Sequence, residues 1–167
     1  HENSSAASDV YKRQIVNIAF SGSLKGGLIP GLTVVAGESK SFKTLLGLYC
    51  MKAYLKKYPK GVALLYDSEY GITPEYLESF DIDTSRVLHI PIEDVEQLKF
   101  DIVNRLDEVS TGDNVMVMID SIGNLASKKE VEDAMNEKSV ADMSRAKALK
   151  SLFRIITPRL TTKDIPC

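Results

Sequence analysis

Residues 37–44 read "GESKSFKT". A glycine, a few small and polar residues, then Lys43-Thr44 ahead of an apolar stretch is the layout of a phosphate-binding loop between strand and helix. The usual pattern places a second glycine just before the lysine, and here Phe42 stands there. Two readings of the stretch stand side by side. In one, the backbone of Gly37, Ser39, Lys40, Ser41 and Phe42 cradles phosphate oxygens at a helix N-terminus. Lys43 then reaches the β- and γ-phosphates of ATP, and the Thr44 hydroxyl ligates Mg2+. In the other, a turn rich in serine and lysine merely caps a helix. The cradle reading carries an expectation: Phe42 keeps a right-handed, helix-start backbone and packs its ring on neighbouring core, because left-handed geometry is glycine's.

The flanks carry strand and helix signals on the matching sides. "GLTVVAG" (31–37) is a short β-branched run closed by glycine and reads as a buried strand. "KTLLGLYCMKAYLKKY" (43–58) has helical length and is stopped by Pro59 and Gly61. "GVALLYD" (61–67), "RVLHIP" (86–91) and "NVMVMID" (114–120) read as further strands. The last has almost no polar interruption, as expected when helices cover both faces of a sheet. A short helix is expected over 73–80, with Thr73 as N-cap and Pro74 at its first position. Another spans 92–109, with Val95, Leu98, Ile102 and Leu106 on one face, and a third spans 137–157. The alternation makes the fold α/β, with a largely parallel sheet and helices on both faces.

Two strand ends add acids. Asp120-Ser121 closes the fourth strand, where parallel sheets bind ligands. A carboxylate there can hold Mg2+ beside a bound nucleotide; the plainer alternative is a cap on the following segment. The second strand ends in "YDSEYG", with Asp67 and Glu69. Glu69, at that edge, is a candidate general base for a water molecule, while Asp67 is left undecided between a role there and a solvated loop charge.

At this point residues 15–167 resemble the RecA-type recombinases, and among them the UvsX-type recombinases of T-even phages. The strings that carry the likeness are "GESKSFKT", "LYDSEYGITPEYL", "VMIDSIGNLASKKEVEDAMNEK" and "SRAKALKSLFRIITP". That phage branch also has phenylalanine before the motif lysine, so the departure from the general pattern fits this family. The resemblance implies a RecA-like P-loop core and an ATPase that assembles as a helical filament on single-stranded DNA. The filament then pairs with homologous duplex DNA, inside the bacterial host cytoplasm. It implies that Lys43 and Thr44 contact phosphate and Mg2+, that Glu69 is catalytic, and that Tyr76 stacks on adenine. Asp120 and Ser121 match the family's second nucleotide motif, with Asp120 the further Mg2+ contact. Residues 128–138 correspond to its first DNA-binding loop, although "SKKEVEDAMNEK" is mixed in sign and reads by charge as a solvated segment. Arg145, Lys147, Lys150, Arg154, Arg159 and Lys163 form a basic stripe, a pattern that more often marks a solvated face than phosphate contacts.

Composition sets the outer bounds. With 167 residues the chain has room for one domain with a sizeable core. The formal net charge of −2 gives no global attraction to nucleic acid, so any such partner is met by a local patch. No apolar run is long enough to span a bilayer, and Cys50 and Cys167 lack disulfide or zinc spacing. A reducing cytoplasm fits, and Cys50 reads as a buried, inert thiol. Residues 1–14 have no apolar period and are read as a disordered or foreign tail, leaving 15–167 as a partial core. "KDIPC" reads as the lead-in to a further strand, and the expectation is a fragment holding most of the ATP half. Two rivals remain: a hexameric helicase or clock-type ATPase on the same fold, and a non-catalytic nucleotide-binding or structural fragment.

Overall fold

The computed structural model describes residues 14–135 and 143–167. Of the tail expected over 1–14, all but Gln14 lies outside the described residues, and Gln14 opens a helix, α1, over residues 14–21. Then follow α2 (Lys43–Lys57), β1 (Val62–Asp67), α3 (Pro74–Ser79), a 3-10 turn (Thr84–Arg86), β2 (Val87–Pro91), α4 (Val95–Glu108), β3 (Val115–Asp120), α5 (Lys128–Met135) and α6 (Ser144–Thr162).

The three strands form a parallel sheet in the order β2-β1-β3. Successive side chains of a strand point to opposite faces, and both faces here are apolar. Leu64, Tyr66, Val115 and Val117 pack on α4 and α6 through Leu98, Ile102, Leu106, Leu152, Ile156 and Leu160. Ala63, Leu65 and Met116 face the other way, onto Leu48, Met51 and Leu55 of α2 and Leu77 of α3. The result is the three-layer arrangement that unbroken apolar strands predict.

Capping fixes where the helices begin. Thr73 accepts the N–H of Tyr76 at 3.2 Å, with Pro74 opening α3. Asp94 accepts the N–H of Gln97 at 2.7 Å, so α4 starts three residues later than the apolar pattern alone implies. The last helix differs from its expected span of 137–157. Residues 136–142 lie outside the described ones, and α6 runs through Pro158 to Thr162 because Leu160 is fully buried in the core. Lys163 closes it by donating to the carbonyls of Leu106 and Val109, the final turn of α4.

The strand expected over 31–37 is corrected. Only its first residues are paired: Gly31 N–H donates to Ile165 O at 2.9 Å and Thr33 N–H to Cys167 O at 2.7 Å. Val117 N–H of β3 donates to Pro166 O at 2.9 Å, so residues 165–167 lie between 31–33 and β3. Beyond Thr33 no ladder partner flanks the segment among the described residues, and Val34 and Val35 are exposed. A β-branched run is a strand only where another backbone meets its N–H and C=O groups. Among the described residues no helix is long and apolar enough to cross a membrane.

Candidate functional site

The loop 37–42 is exposed along its whole length and leads into α2 at Lys43. Ser41 closes it on itself, its hydroxyl donating to Glu38 O at 2.7 Å. The Lys43 ammonium folds back over the loop and donates to Gly37 O at 3.0 Å and Glu38 O at 2.6 Å. Lysine thus sits at the mouth of the loop, held by carbonyls it can leave at little cost because all partners are solvent-exposed.

Phe42 overturns the expectation made for it. Its backbone is left-handed, φ 61° and ψ 24°, and the residue is 75% exposed. Lys40 is left-handed too, at φ 65°. Two such turns within three residues bring the chain back on itself so that Phe42 O can accept the N–H of Leu46 and start the helix. The conformation is the one a glycine would supply without strain; phenylalanine takes it at a cost of about 1–2 kcal/mol. Phe42→Gly is therefore expected to raise the stability of the ligand-free fold by about 0.5–1 kcal/mol, glycine's greater unfolded-state entropy offsetting part of the relief. A urea titration measures it, and a lowered midpoint at unchanged slope would contradict the strain.

Asp67 and Asp120 are register partners at the carboxyl ends of β1 and β3. Thr44, in the first turn of α2, donates its hydroxyl to Asp120 Oδ2 at 2.7 Å. Asp120 is nearly buried, and burial raises its pKa from the ordinary carboxylate value. The Thr44 hydrogen bond opposes that rise; the negative charges of Glu69 and Asp67 add to it, and Lys43 opposes it. Since the folded state holds this proton more tightly than the unfolded chain, the ionised Asp120 costs stability at pH above its folded pKa. A cation beside it would relieve that cost.

A hydroxyl and a partly desolvated carboxylate in contact are a donor set suited to Mg2+, which takes one or two protein oxygens and fills its shell with water and phosphate. No group of three or more His, Cys, Asp or Glu side chains arranged for a metal occurs among the described residues.

Asp67, left open on sequence, is a scaffold. It is buried, and its carboxylate accepts the N–H groups of Glu69 at 2.9 Å, Tyr70 at 2.8 Å and Ile72 at 3.5 Å, with His89 Nε2 at 3.0 Å. These bonds shape the turn that presents Glu69. Ser68 ties the two strand ends together, donating its hydroxyl to Ser121 O at 2.7 Å and accepting Ser121 N–H at 3.0 Å. Glu69 itself is exposed, and its Oε1 accepts from Ser121 Oγ at 3.0 Å and Asn124 Nδ2 at 2.9 Å. Sequence reading missed Ser68 and Asn124, since neither belongs to a residue pattern; only the fold sets them against Ser121 and Glu69.

The structure thus gathers Lys43, Thr44, Glu69, Asp120 and Ser121 at one end of the sheet. Among the described residues, no hydrogen bond or ring contact links Tyr76 to them. It lies on α3, 39% exposed, with its ring edge-on to Phe80 at 5.2 Å. Of the segment 128–138, residues 128–135 are α5, and the remainder lies outside the described residues. The basic stripe is partly used within the molecule. Arg159 pairs with Asp107 at 2.7 Å, Lys163 caps α4, and Arg145 holds a turn after β3. Cys50 is half-buried rather than buried, and desolvation raises its thiol pKa, in keeping with an unreactive group.

Comparison with known proteins bears on this arrangement. The family model for the RecA N-terminal domain matches residues 10–165. The chain is 55% identical over 161 residues to the Recombination and repair protein of Enterobacteria phage T4, covering 95% of this chain and 41% of that protein. It is 30% identical over 140 residues to Protein RecA of Mycoplasma mycoides subsp. mycoides SC, covering 82% of this chain and 39% of that protein. Protein RecA of Prochlorococcus marinus is 31% identical over 135 residues, covering 80% and 34%. The chain therefore spans about two fifths or less of the length of these relatives.

Proposed function

The chain belongs to the RecA family, and on that premise we propose that the polypeptide carrying it is an ATP-dependent DNA recombinase. Its nucleotide site would be the loop 37–44 with Glu69, Asp120 and Ser121. The observation that carries the reading is the convergence of a phosphate-type loop, a hydroxyl–carboxylate pair and an exposed glutamate on the carboxyl end of one parallel sheet.

Each residue has a task that its position allows. Backbone N–H groups of residues 39–44 and the α2 N-terminus would receive phosphate oxygens. Lys43 would leave the Gly37 and Glu38 carbonyls and pair with the β- and γ-phosphates. Thr44 and Asp120 would hold Mg2+, which when bound with ATP neutralises charge on the phosphate oxygens. Glu69 would orient a water and take its proton as the water oxygen bonds to the γ-phosphorus. The bond from that phosphorus to the bridging oxygen breaks in line, and ADP leaves with the electron pair. Tyr76, an exposed aromatic one helical turn past the Glu69 turn, would offer a stacking platform for adenine. In the intact protein ATP would favour a filament on single-stranded DNA that pairs with homologous duplex, and hydrolysis would loosen it.

The test is ATP turnover by the full-length polypeptide with and without single-stranded DNA, followed by strand exchange with homologous duplex. Turnover stimulated by single-stranded DNA together with strand exchange is the expected result. Duplex unwinding without exchange would point to a helicase on the same fold, and no turnover would point to an idle nucleotide-binding module.

A further inference from the structure

Arg145 reads in the sequence as one member of a basic stripe, a pattern that more often marks a solvated face than phosphate contacts. In the structure its guanidinium faces the protein. From the first turn of α6 it donates through Nε to Leu125 O at 2.6 Å, and through Nη2 to Ile122 O at 3.0 Å and Gly123 O at 2.8 Å. Three carbonyls of one turn, residues 122–125, are thereby fixed by a single planar group. Asn124 sits inside that turn, and its Nδ2 donates to Glu69 Oε1 at 2.9 Å. Ser121 Oγ donates to the same oxygen at 3.0 Å.

We propose that Arg145 and Asn124 are positioning residues of the hydrolytic site: Arg145 sets the turn, and the turn's Asn124 holds the Glu69 carboxylate. The inference rests on reading Glu69 as the base. Two donors on Oε1 fix the rotation of the carboxylate and leave Oε2 as the oxygen that meets the water proton. Without Asn124, only Ser121 restrains a long side chain in solvent, and the productive rotamer is one among several. Without the guanidinium fork, the turn loses the geometry that aims Asn124. A lysine keeps the charge but presents one compact head on a flexible stem, so it cannot span the same carbonyls in a plane.

The same geometry also links α6 to the site. Any displacement of the start of α6 would move Arg145, then the 122–125 turn, then Glu69. A ligand engaging that region could therefore act on hydrolysis without touching the nucleotide.

Arg145→Lys and Asn124→Ala in the full-length polypeptide test the proposal. Each is expected to lower kcat for ATP about tenfold while nucleotide Kd stays unchanged, because alignment rather than binding is lost. In a Glu69→Gln background neither should cost anything further. The salt dependence of single-stranded DNA binding should be the same for Arg145→Lys and Arg145→Gln as for the parent chain. A phosphate contact would instead lower its slope by about 0.7 in the glutamine variant. Wild-type kcat in both Arg145→Lys and Asn124→Ala overturns the inference, as does additive loss in the Glu69→Gln background. If Arg145→Lys fails to fold, the exposed Asn124→Ala substitution alone decides. Wild-type turnover by Glu69→Gln itself would instead remove the base assignment on which the inference stands.

Discussion

Lys43→Ala is expected to weaken ATP binding about a hundredfold or more, read by equilibrium titration with a fluorescent ATP analogue. Two charge-assisted hydrogen bonds to phosphate are lost, each worth about 1.5–3 kcal/mol, and no other cation lies in the 37–44 loop except the left-handed Lys40. The fold itself should be nearly indifferent. In the ligand-free chain Lys43 bonds to exposed carbonyls and the Ser41 hydroxyl of its own loop, so the thermal midpoint without nucleotide should barely move. Nucleotide, which raises the midpoint of the parent chain by binding the folded state alone, should no longer do so in the variant. Unchanged affinity would remove the loop from the nucleotide site, whatever the rest of the sheet edge does.

Glu69→Gln is expected to reduce turnover by about 100-fold or more and to leave nucleotide affinity intact, because general-base assistance contributes about 10²–10⁴ in rate. The substitution is close to isosteric. Its amide oxygen can accept the same bonds from Ser121 and Asn124 that Oε1 accepts now, so the site should keep its shape while losing its proton acceptor. Neither Asp67 nor Asp120 can substitute. Asp67 is occupied by three backbone N–H groups and His89, and Asp120 is turned to Thr44. Single-turnover measurements separate chemistry from product release, and a variant that hydrolyses as fast as its parent would place the base elsewhere.

Much of the layout was legible before any coordinates. The unbroken apolar runs at 62–67 and 115–120 required a parallel sheet covered on both sides, and the two core clusters are those two sides. The acids at the ends of these runs fell at the ligand-binding edge because strand length and direction put them there. What escaped was anything that depends on a partner distant in the chain. "TVVAG" has strand composition, but past Thr33 no neighbouring backbone among the described residues completes its ladder. Arg145 has a stripe spacing, yet its hydrogen-bond partners at 122–125 lie 20 to 23 residues earlier in the chain. Asp67 stayed undecided between a site role and a solvated loop charge, because its burial and its contact with His89, 22 residues further on, arise only in the fold.

Phe42 marks the same division at a single residue. By itself the sequence determined the order of the three paired strands and of α2, α3, α4 and α6 around them, the loop ahead of α2, and the likeness to a recombinase family. These rest on periodicity, on the strand–loop–helix spacing and on specific strings, all of which are properties of neighbours along the chain. The conformation of Phe42 was settled otherwise. The loop must reverse direction between a paired segment and the half-buried start of α2, and that path takes left-handed turns at Lys40 and Phe42. Local preference argued for the right-handed form at about 1–2 kcal/mol. The packing of α2 on β1 and β3, many times larger in total, decided against it.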